Sequence, residues 1–376
     1  MLGGTRGKCR GGRAASQGGD VLYRRLSDRR SHGERPRRRI DEAPRALSSI
    51  VKTTAEIIRP APGAARRGAV IIVVYEKYHD LAECLDSLYK HLPEGVAVII
   101  VDNASSQPIG EQIARRFPSV AVIRARTNGG YAGGNNIGAS YALSIGAPKL
   151  YFLNDDTIVS PGFWEACERE LEREGCAIAG SLLVHHARPR ILQIAGWDLD
   201  RSNLCEHFRG VDQALDEAFR GRHACDAVFG AGFMMRAEVF ASLGGFDERY
   251  FHLSEELDLC LAARDAGWEV VYAGGSVVRH KGGASLAHTA PRYVYYLFRN
   301  RLWLWRRFVP KSVFWRYAPR RAGRMLWNQV KTPGRSWRAV MAACGGIIAG
   351  FLSGRKPARS LKDIRFINTG KAARDS

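Results

Sequence analysis

Two carboxylates and a carboxamide follow an apolar run near the middle of the chain. The segment F-L-N-D-D-T places Asn154, Asp155 and Asp156 directly after a predicted buried strand. Carboxylate oxygens suit Mg²⁺ or Mn²⁺, which bind proteins through one or two carboxylates together with substrate phosphates. The segment therefore indicates a divalent cation that carries a diphosphate. Taken alone, it is more typical of a polar turn before the helix expected from Pro161.

Further carboxylates and a histidine follow later in the chain. Glu255, Glu256 and Asp258 crowd the start of a predicted helix, where negative charge also simply complements the helix dipole. The alternative is that one of them is a general base, because deprotonating a hydroxyl needs a carboxylate at hydrogen-bond range. His280 follows a β-branched run, and beside the Asp pair it is a candidate metal ligand as well as an ordinary structural histidine.

Two polar segments that could contact a nucleotide follow other predicted strands. Asp102 and Asn103 end one of them, and this pair is typical of a turn as well as of a base or ribose contact. The segment N-G-G-Y-A-G-G-N-N, residues 128–136, supplies glycines for close backbone approach and runs into a helix whose N-terminus favours phosphate. Its glycines lack the G-x-G-x-x-G spacing, which excludes a dinucleotide fingerprint. We expect a flexible glycine-rich loop over Asn128–Gly134.

These residues need a parallel sheet to bring them together. Apolar, β-branched runs alternate with helical patterns, which predicts βαβ units and a mainly parallel, doubly wound α/β sheet. Ligands of such sheets bind at the carboxyl ends of the strands. The predicted strands are Ala69–Tyr75, Val96–Val101, Val120–Arg124 and Leu150–Leu153.

The charge is divided unevenly along the 376 residues, whose net charge is +20. Residues 1–67 carry 17 basic and 6 acidic residues, residues 68–291 carry 20 and 29, and residues 292–376 carry 20 and 2. We predict a disordered basic arm over 1–67, a catalytic domain over 68–291 and a basic, aromatic helical region over 292–376. Its tryptophans and arginines favour an anionic membrane surface as a partner.

The composition predicts where the protein is located and weakens two alternative functions. Eight scattered cysteines without a C-x-x-C pair argue against a disulfide framework, and the longest uncharged apolar stretch, Ala339–Leu352, is too short to cross a bilayer. We expect a cytoplasmic protein, peripheral at the inner face of the cell membrane. A nucleic-acid-binding protein is a weaker alternative because neither arm carries a recognisable module. A nucleotidyltransferase is another, although its glycine-rich basic loop is absent after the first strand.

The motifs in their order resemble one enzyme family. They run V-I-I-V-V-Y, V-D-N-A-S, N-G-G-Y-A-G-G-N-N, F-L-N-D-D-T, G-A-G-F-M-M-R, G-G-F-D-E-R-Y-F, E-E-L-D-L-C and R-H-K-G-G-A-S, between residues 69 and 305. This series is similar to the family 2 inverting glycosyltransferases, in particular the rhamnosyltransferase-like and galactofuranosyltransferase-like branch. The resemblance implies a GT-A-type (Rossmann-like) fold, Mg²⁺ or Mn²⁺, a nucleotide-diphosphate sugar donor and a glycan or lipid-linked glycan acceptor.

The resemblance also implies roles for individual residues. Glu256 falls at the position of the catalytic base, although family members usually have Glu-Asp where this chain has Glu255-Glu256, so that either glutamate can be the base. The metal ligands would be Asp156 and His280. The donor contacts would be Tyr75, Asp102, Asn103, Gly130, Gly133, Asn135 and Asp155, and the acceptor contacts would be Gly232 and Asp247. Rhamnose is the first expectation for the sugar.

Overall fold

The computed structural model describes residues 53–63, 65–282, 290–332, 334, 336–352 and 364–368. In these residues the strands, in chain order, are β1 (Thr53–Arg59), β2 (Gly68–Val74), β3 (Val96–Asp102), β4 (Ala121–Ala125), β5 (Lys149–Asn154), β6 (Thr157–Val159), β7 (Cys176–His185), β8 (Arg188–Ile194), β9 (Gly196–Asp200), β10 (Cys205–Arg209), β11 (Arg222–Ala224), β12 (Gly232–Arg236), β13 (Glu269–His280) and β14 (Ile364–Asn368).

The helices lie between and after these strands. In chain order they are α1 (Tyr78–His91), α2 (Gly110–Arg116), α3 (Gly130–Ser144), α4 (Phe163–Leu171), α5 (Ala237–Leu243), α6 (Glu255–Asp265), α7 (Pro291–Phe308), α8 (Lys311–Lys331) and α9 (Trp337–Leu352). Among the described residues, none of these helices is both long and apolar enough to span a membrane.

One large mixed sheet organises the molecule, in the order β11-β13-β7-β12-β5-β2-β3-β4-β1-β14. Strands β2, β3, β4, β5, β7 and β13 run in one direction, while β12 is inserted antiparallel between β5 and β7. Apolar side chains cover both faces of β2: Ala69 and Ile71 pack in one core with α3, and Val70 and Ile72 in the other with α1 and α4. The predicted α/β fold class, a mainly parallel sheet flanked by helices, is confirmed.

The registers place the polar strand ends side by side. Val74 at the end of β2 pairs with Asp102 at the end of β3, and Val73 pairs with Asn154 at the end of β5. All four strands predicted from apolar runs exist, within one residue of the predicted limits. The segments after β2, β3 and β5 therefore meet at one edge of the sheet, where the sequence predicted a ligand.

The expected glycine-rich loop is wrong for most of its length, because α3 already begins at Gly130. Gly130, Gly134 and Gly138 recur every fourth residue and so lie on one face of the helix. A methyl group at Gly134 would come within 2.6 Å of Val73, and one at Gly138 within 2.4 Å of Ile71. The glycines therefore allow α3 to pack closely on the sheet, and this packing outweighs their low helix propensity.

The predicted disordered arm is also wrong in part, because β1 lies inside it. β1 pairs antiparallel with β4 and parallel with β14, so that the sheet continues beyond the last predicted strand. Residues 1–52 lie outside the described residues. The strand β14 also shows that the region after residue 292 is not helical throughout. Both β1 and β14 were missed because neither has a long apolar run.

Candidate active site

The Asp pair lies between the end of β5 and the last residue of β13. β6 pairs antiparallel with β13 and sets Thr157 opposite His280. This pairing brings His280 Nε2 to 3.2 Å from Asp156 Oδ1 and to 3.4 Å from the side-chain nitrogen of Asn154. Asp156 is buried, with 5% of its surface exposed. The two residues predicted as metal ligands are therefore in direct contact.

Gln193 on β8 orients the histidine ring. His280 Nδ1 lies 2.7 Å from Gln193 Oε1, which can only accept, so that Nδ1 carries the proton in this hydrogen bond. The other ring nitrogen, Nε2, is thereby turned toward Asp156. A histidine that ligates a metal commonly donates its other N–H in this way. An imidazole nitrogen and a carboxylate oxygen 3.2 Å apart suit adjacent ligands of one divalent cation, and the residues present therefore fit Mg²⁺ or Mn²⁺.

The neighbouring aspartates differ in their protonation. Burial and the charge of Asp156 raise the pKa of Asp155 to about 8. Burial opposes ionisation of Asp156 as well, but the hydrogen bond and charge of His280 outweigh it and hold the pKa of Asp156 below its ordinary value. In the absence of a cation the pair therefore carries close to one negative charge near neutral pH. Positive charge brought to this point would favour ionisation of both carboxyl groups.

Asp102 and Asn103 connect the end of β3 to its surroundings. Asp102 is almost fully buried; its carboxylate pairs with Arg124 and accepts a hydrogen bond of 2.9 Å from the Ser105 backbone N–H. The Asn103 side chain donates to the Gly130 carbonyl at 2.9 Å and accepts from the Gly129 N–H at 3.1 Å, which ties β3 to the start of α3. Both side chains thus have partners within the protein, and their contacts with a nucleotide-sugar donor stay predictions.

The other predicted donor residues differ in accessibility. Tyr75 is exposed directly after β2. Asn135 is buried on α3, and its Oδ1 has no hydrogen-bond partner among the described residues, although its Nδ2 donates to the Tyr131 carbonyl at 3.0 Å. A methyl group at Gly133 would meet nothing closer than 3.9 Å, whereas one at Gly130 would lie 2.0 Å from the Phe251 carbonyl oxygen. Gly130 is therefore required for packing.

Glu255 and Glu256 form the first turn of α6. Each has one buried carboxylate oxygen without a hydrogen-bond partner among the described residues. Burial, followed by the charge of Glu256, raises the pKa of Glu255 well above its ordinary value. Burial also raises the pKa of Glu256, although the nearby positive charge of Arg301 lowers it. A buried carboxylate with raised pKa and a free oxygen is what a general base for a hydroxyl requires.

A short backbone segment joins the Asp pair to the glutamates. The Asn154 N–H donates to the Ala231 carbonyl at 3.3 Å, and the Tyr131 hydroxyl donates to the Gly230 carbonyl at 2.7 Å. Burial raises the pKa of the Tyr131 hydroxyl, and the charges of Glu256 and Glu255 raise it further, so that Tyr131 lies near both. The candidate metal ligands and the candidate base therefore border the same region.

The two predicted acceptor residues have structural partners. Gly232 is buried at the start of β12, opposite Leu153, and a methyl group there would lie 3.3 Å from the Tyr151 hydroxyl. Asp247 is 7% exposed; it pairs with Arg249 and accepts the Arg249 N–H at 3.1 Å. Their acceptor role stays a prediction. Sequence reasoning missed Gln193 and Arg301, and no motif marks either residue.

Comparison with known proteins identifies the domain. Residues 69–241 match the model of glycosyl transferase family 2. The low-salt glycan biosynthesis hexosyltransferase Agl10 of Haloferax volcanii is 26% identical over 65% of this chain and 77% of its own length. The dTDP-rhamnosyl transferase RfbF of Shigella flexneri is 24% identical over 63% and 80%, and the N-acetylglucosaminyl-diphospho-decaprenol L-rhamnosyltransferase of Mycobacterium tuberculosis is 24% identical over 63% and 86%.

Among solved structures, the mannosyltransferase PcManGT of Pyrobaculum calidifontis, in complex with GDP-Man and Mn²⁺, is 16% identical over 79% of each chain, with a TM-score of 0.49. The family match ends at residue 241, before the glutamates and His280. The family resemblance read from the motifs is confirmed by the family model and by these relatives. The chain is therefore a glycosyltransferase with a family 2 domain, and it is similar to rhamnosyltransferases.

Proposed function

We propose that the chain transfers a sugar, with inversion, from a nucleotide-diphosphate donor to a hydroxyl group of a glycan or lipid-linked glycan. The observation that carries this proposal is the contact between the candidate metal ligands Asp156 and His280, in a chain whose two buried glutamates have free oxygens. Rhamnose carried on deoxythymidine diphosphate is the first candidate donor, because two relatives are named as rhamnosyltransferases and one of these names dTDP.

In this proposal one group of residues acts on the leaving group and another acts on the acceptor hydroxyl. Asp156 and His280 hold Mg²⁺ or Mn²⁺, with Asp155 beside them, and Gln193 keeps the imidazole ring oriented. The bound cation supplies positive charge that stabilises the departing nucleoside diphosphate. Glu256, or Glu255 in its place, removes the acceptor hydroxyl proton, and the buried site excludes water that would compete with the acceptor. A single displacement of this kind inverts the anomeric centre.

The decisive experiment is a panel of nucleotide sugars with Mn²⁺ or Mg²⁺, assayed for nucleoside diphosphate release and for product on lipid extracts. We expect Asp156→Ala to lose activity and metal-dependent donor binding. We expect Glu256→Gln to bind the donor nucleotide and to lose transfer by about 100-fold or more. The exposed Glu174→Gln is the matched control and should behave as wild type.

Four outcomes would contradict parts of this proposal. Release of pyrophosphate instead of nucleoside diphosphate would identify a nucleotidyltransferase. Full turnover by Glu256→Gln would move the role of base to Glu255, and full turnover by both single variants would reject a glutamate base. Full activity of Asp156→Ala in the presence of a chelator would reject the metal site.

The proposed site of action is the surface of an anionic membrane. The segment Lys311–Leu352, which includes α8 and α9, contains no aspartate or glutamate. On α8 the exposed residues combine tryptophan with cations at helical spacing; they are Trp315, Arg316, Arg320, Arg324, Trp327 and Lys331. This composition is that of an interfacial helix. It would hold the catalytic domain near a lipid-linked acceptor.

A further inference from the structure

The segment Tyr250–Ser254, which leads into the two glutamates, has an unusual backbone. Phe251, Leu253 and Ser254 have φ angles of 64°, 74° and 73°, in the left-handed region that side chains other than glycine rarely adopt. A residue with a side chain is strained in this region of φ. Ser254 also makes no side-chain cap to α6. Contacts from elsewhere must therefore hold this segment, and Glu255 is the next residue.

Asn300 on α7 provides these contacts. Its side chain is fully buried, and Nδ2 donates to the carbonyl oxygens of Tyr250, His252 and Leu253 at 3.0, 2.8 and 2.7 Å. The amide orientation is set by Arg299, whose Nε donates to Asn300 Oδ1 at 2.8 Å. Because Nδ2 carries two hydrogens, one of them is shared between two of these three carbonyl oxygens.

Other groups on α7 also hold the segment Tyr250–Ser254 in place. The Arg299 guanidinium donates to the carbonyl oxygens of Arg249 and Tyr250 at 2.9 and 3.1 Å. The Phe251 ring stacks on Tyr296 at 5.3 Å, and the Arg292 guanidinium lies 4.8 Å from the Phe251 ring centre. The segment is therefore held by hydrogen bonds to its backbone and by packing on the Phe251 ring.

The held segment also sets the position of α3. The Phe251 carbonyl lies where any side chain at Gly130 would stand, so that the start of the predicted donor-binding helix rests against it. A shift of this segment would move the glutamates and disturb α3 at once. A misplacement of about 1 Å can cost about 100-fold in rate.

We propose that Asn300 is a positioning residue that fixes the left-handed segment Tyr250–Ser254 and thereby the carboxylates of Glu255 and Glu256. This inference rests on the proposed function only for the assignment of those carboxylates to catalysis. The conformational part stands on its own, because it concerns the backbone of the segment.

The test uses the full chain with Asn300→Ala and Asn300→Asp, which remove the three donated hydrogen bonds. Hydrogen–deuterium exchange of peptides covering residues 250–256 should rise in both variants. Transfer should lose about 10- to 100-fold in kcat, a larger factor than any loss of affinity for nucleoside diphosphate with Mn²⁺, measured by calorimetry. The control is Phe314→Leu, which loosens the buried packing of α8 without contacting the segment. It should lower the melting temperature and leave both kcat and the exchange of 250–256 unchanged.

Each result decides one part. Unchanged exchange of residues 250–256 in both Asn300 variants overturns the inference, whether or not the enzyme is active. Faster exchange with unchanged kcat overturns the link from the segment to the glutamates. If the wild-type chain releases no nucleoside diphosphate from any donor, the proposed function fails, and the exchange measurement still decides whether Asn300 holds the segment.

Discussion

Burial and charged neighbours together set the protonation of the carboxyl groups of the site. Burial raises the pKa of Glu255 and of Glu256, and the charge of Glu256 raises the pKa of Glu255 further, whereas His280 holds the pKa of Asp156 below its ordinary value. Because the folded-state pKa of both glutamates lies above their ordinary value of 4.5, their ionisation destabilises the fold as the pH rises past that value. At neutral pH the ionisation of these glutamates therefore lowers the stability of the fold, and it also makes a base available.

Arg301 is the positive group that makes ionisation of Glu256 easier. The charged and titratable groups around Glu256 are Glu255 and Cys260 on α6, Tyr131 on α3 and Arg301 on α7. Arg301→Met should raise the pKa of Glu256 further. A base acts in its deprotonated form, so that the acid limb of the pH profile of kcat/KM should move to higher pH.

The matched control is Arg301→Lys, which keeps the charge and should keep the acid limb close to that of wild type. Arg301 also pairs with Glu206 at 3.2 Å, and Glu206→Gln separates the loss of that pair from the loss of charge beside Glu256. An acid limb that stays in place in Arg301→Met would show that Glu256 is not the titrating base.

Residue types predicted only part of this site. Asp155, Asp156 and His280 carry metal chemistry in their side chains and follow apolar strands, so that the sequence alone singles them out. Gln193 and Asn300 act through hydrogen bonds to partners 87 and about 50 positions away. Their role depends on which strand or helix lies beside the site, and residue type alone does not show that.

At the scale of elements, the site is assembled by close contact between α3 and the segment before α6. The four central strands were predictable because buried parallel strands are continuous apolar runs. The start of α3 was not, because glycines weaken a helix locally, and here they are present for packing against Val73, Ile71 and Phe251. The order of the strands also needs contacts that are distant in sequence, as in the return of β14 to β1.

A pair of glycine substitutions separates the effect of backbone strain from that of the contact between α3 and Phe251. Gly130 and Gly146 have φ angles of 69° and 80°, but a methyl group at Gly130 would lie 2.0 Å from the Phe251 carbonyl oxygen, while one at Gly146 would meet nothing within 4 Å. Both alanine variants should lose about 1–2 kcal/mol of unfolding free energy from the left-handed backbone. Gly130→Ala should lose more stability and most of the transfer activity.

Chemical denaturation and initial rates measure these two effects. Gly146→Ala should keep its kcat, since it lies at the other end of α3 from Phe251. Equal stability and equal kcat in the two variants would show that the contact between α3 and Phe251 does not matter for the site.

At the scale of the whole molecule, the acidic and the basic charge lie in different parts of the chain, and we expect them to serve catalysis and membrane binding respectively. The acidic middle of the chain contains the candidate metal ligands and the glutamates. The region after residue 292 contains α7, which holds the segment Tyr250–Ser254, and then the basic helices α8 and α9. The helix α9 packs its small residues against α7: a methyl group at Gly346 would lie 2.5 Å from the Tyr295 carbonyl oxygen. Its opposite face leaves Trp337, Met341 and Leu352 exposed.

This arrangement makes the membrane proposal testable by point substitution, without removing helices that support α7. We expect the wild-type chain to bind vesicles of equal parts phosphatidylcholine and phosphatidylglycerol and to release them as salt rises, because exposed cations near such a surface contribute about 1 kcal/mol each. Replacing Arg320 and Arg324 with glutamate should abolish binding at physiological salt. Replacing Trp327, which is 58% exposed, with alanine should weaken binding and leave its salt dependence in place.

The charge-matched control replaces the exposed Lys90 and Arg169, on α1 and α4, with glutamate. It changes the net charge by the same amount and should bind vesicles nearly as the wild type does. Equal loss in the two double variants would mean that total charge, and not the face of α8, governs binding. Retained binding after the α8 substitutions would reject the proposed surface. With that surface intact and an acceptor presented in the vesicles, we expect transfer to fall with rising salt in parallel with binding, since the enzyme and its acceptor then meet only at the membrane.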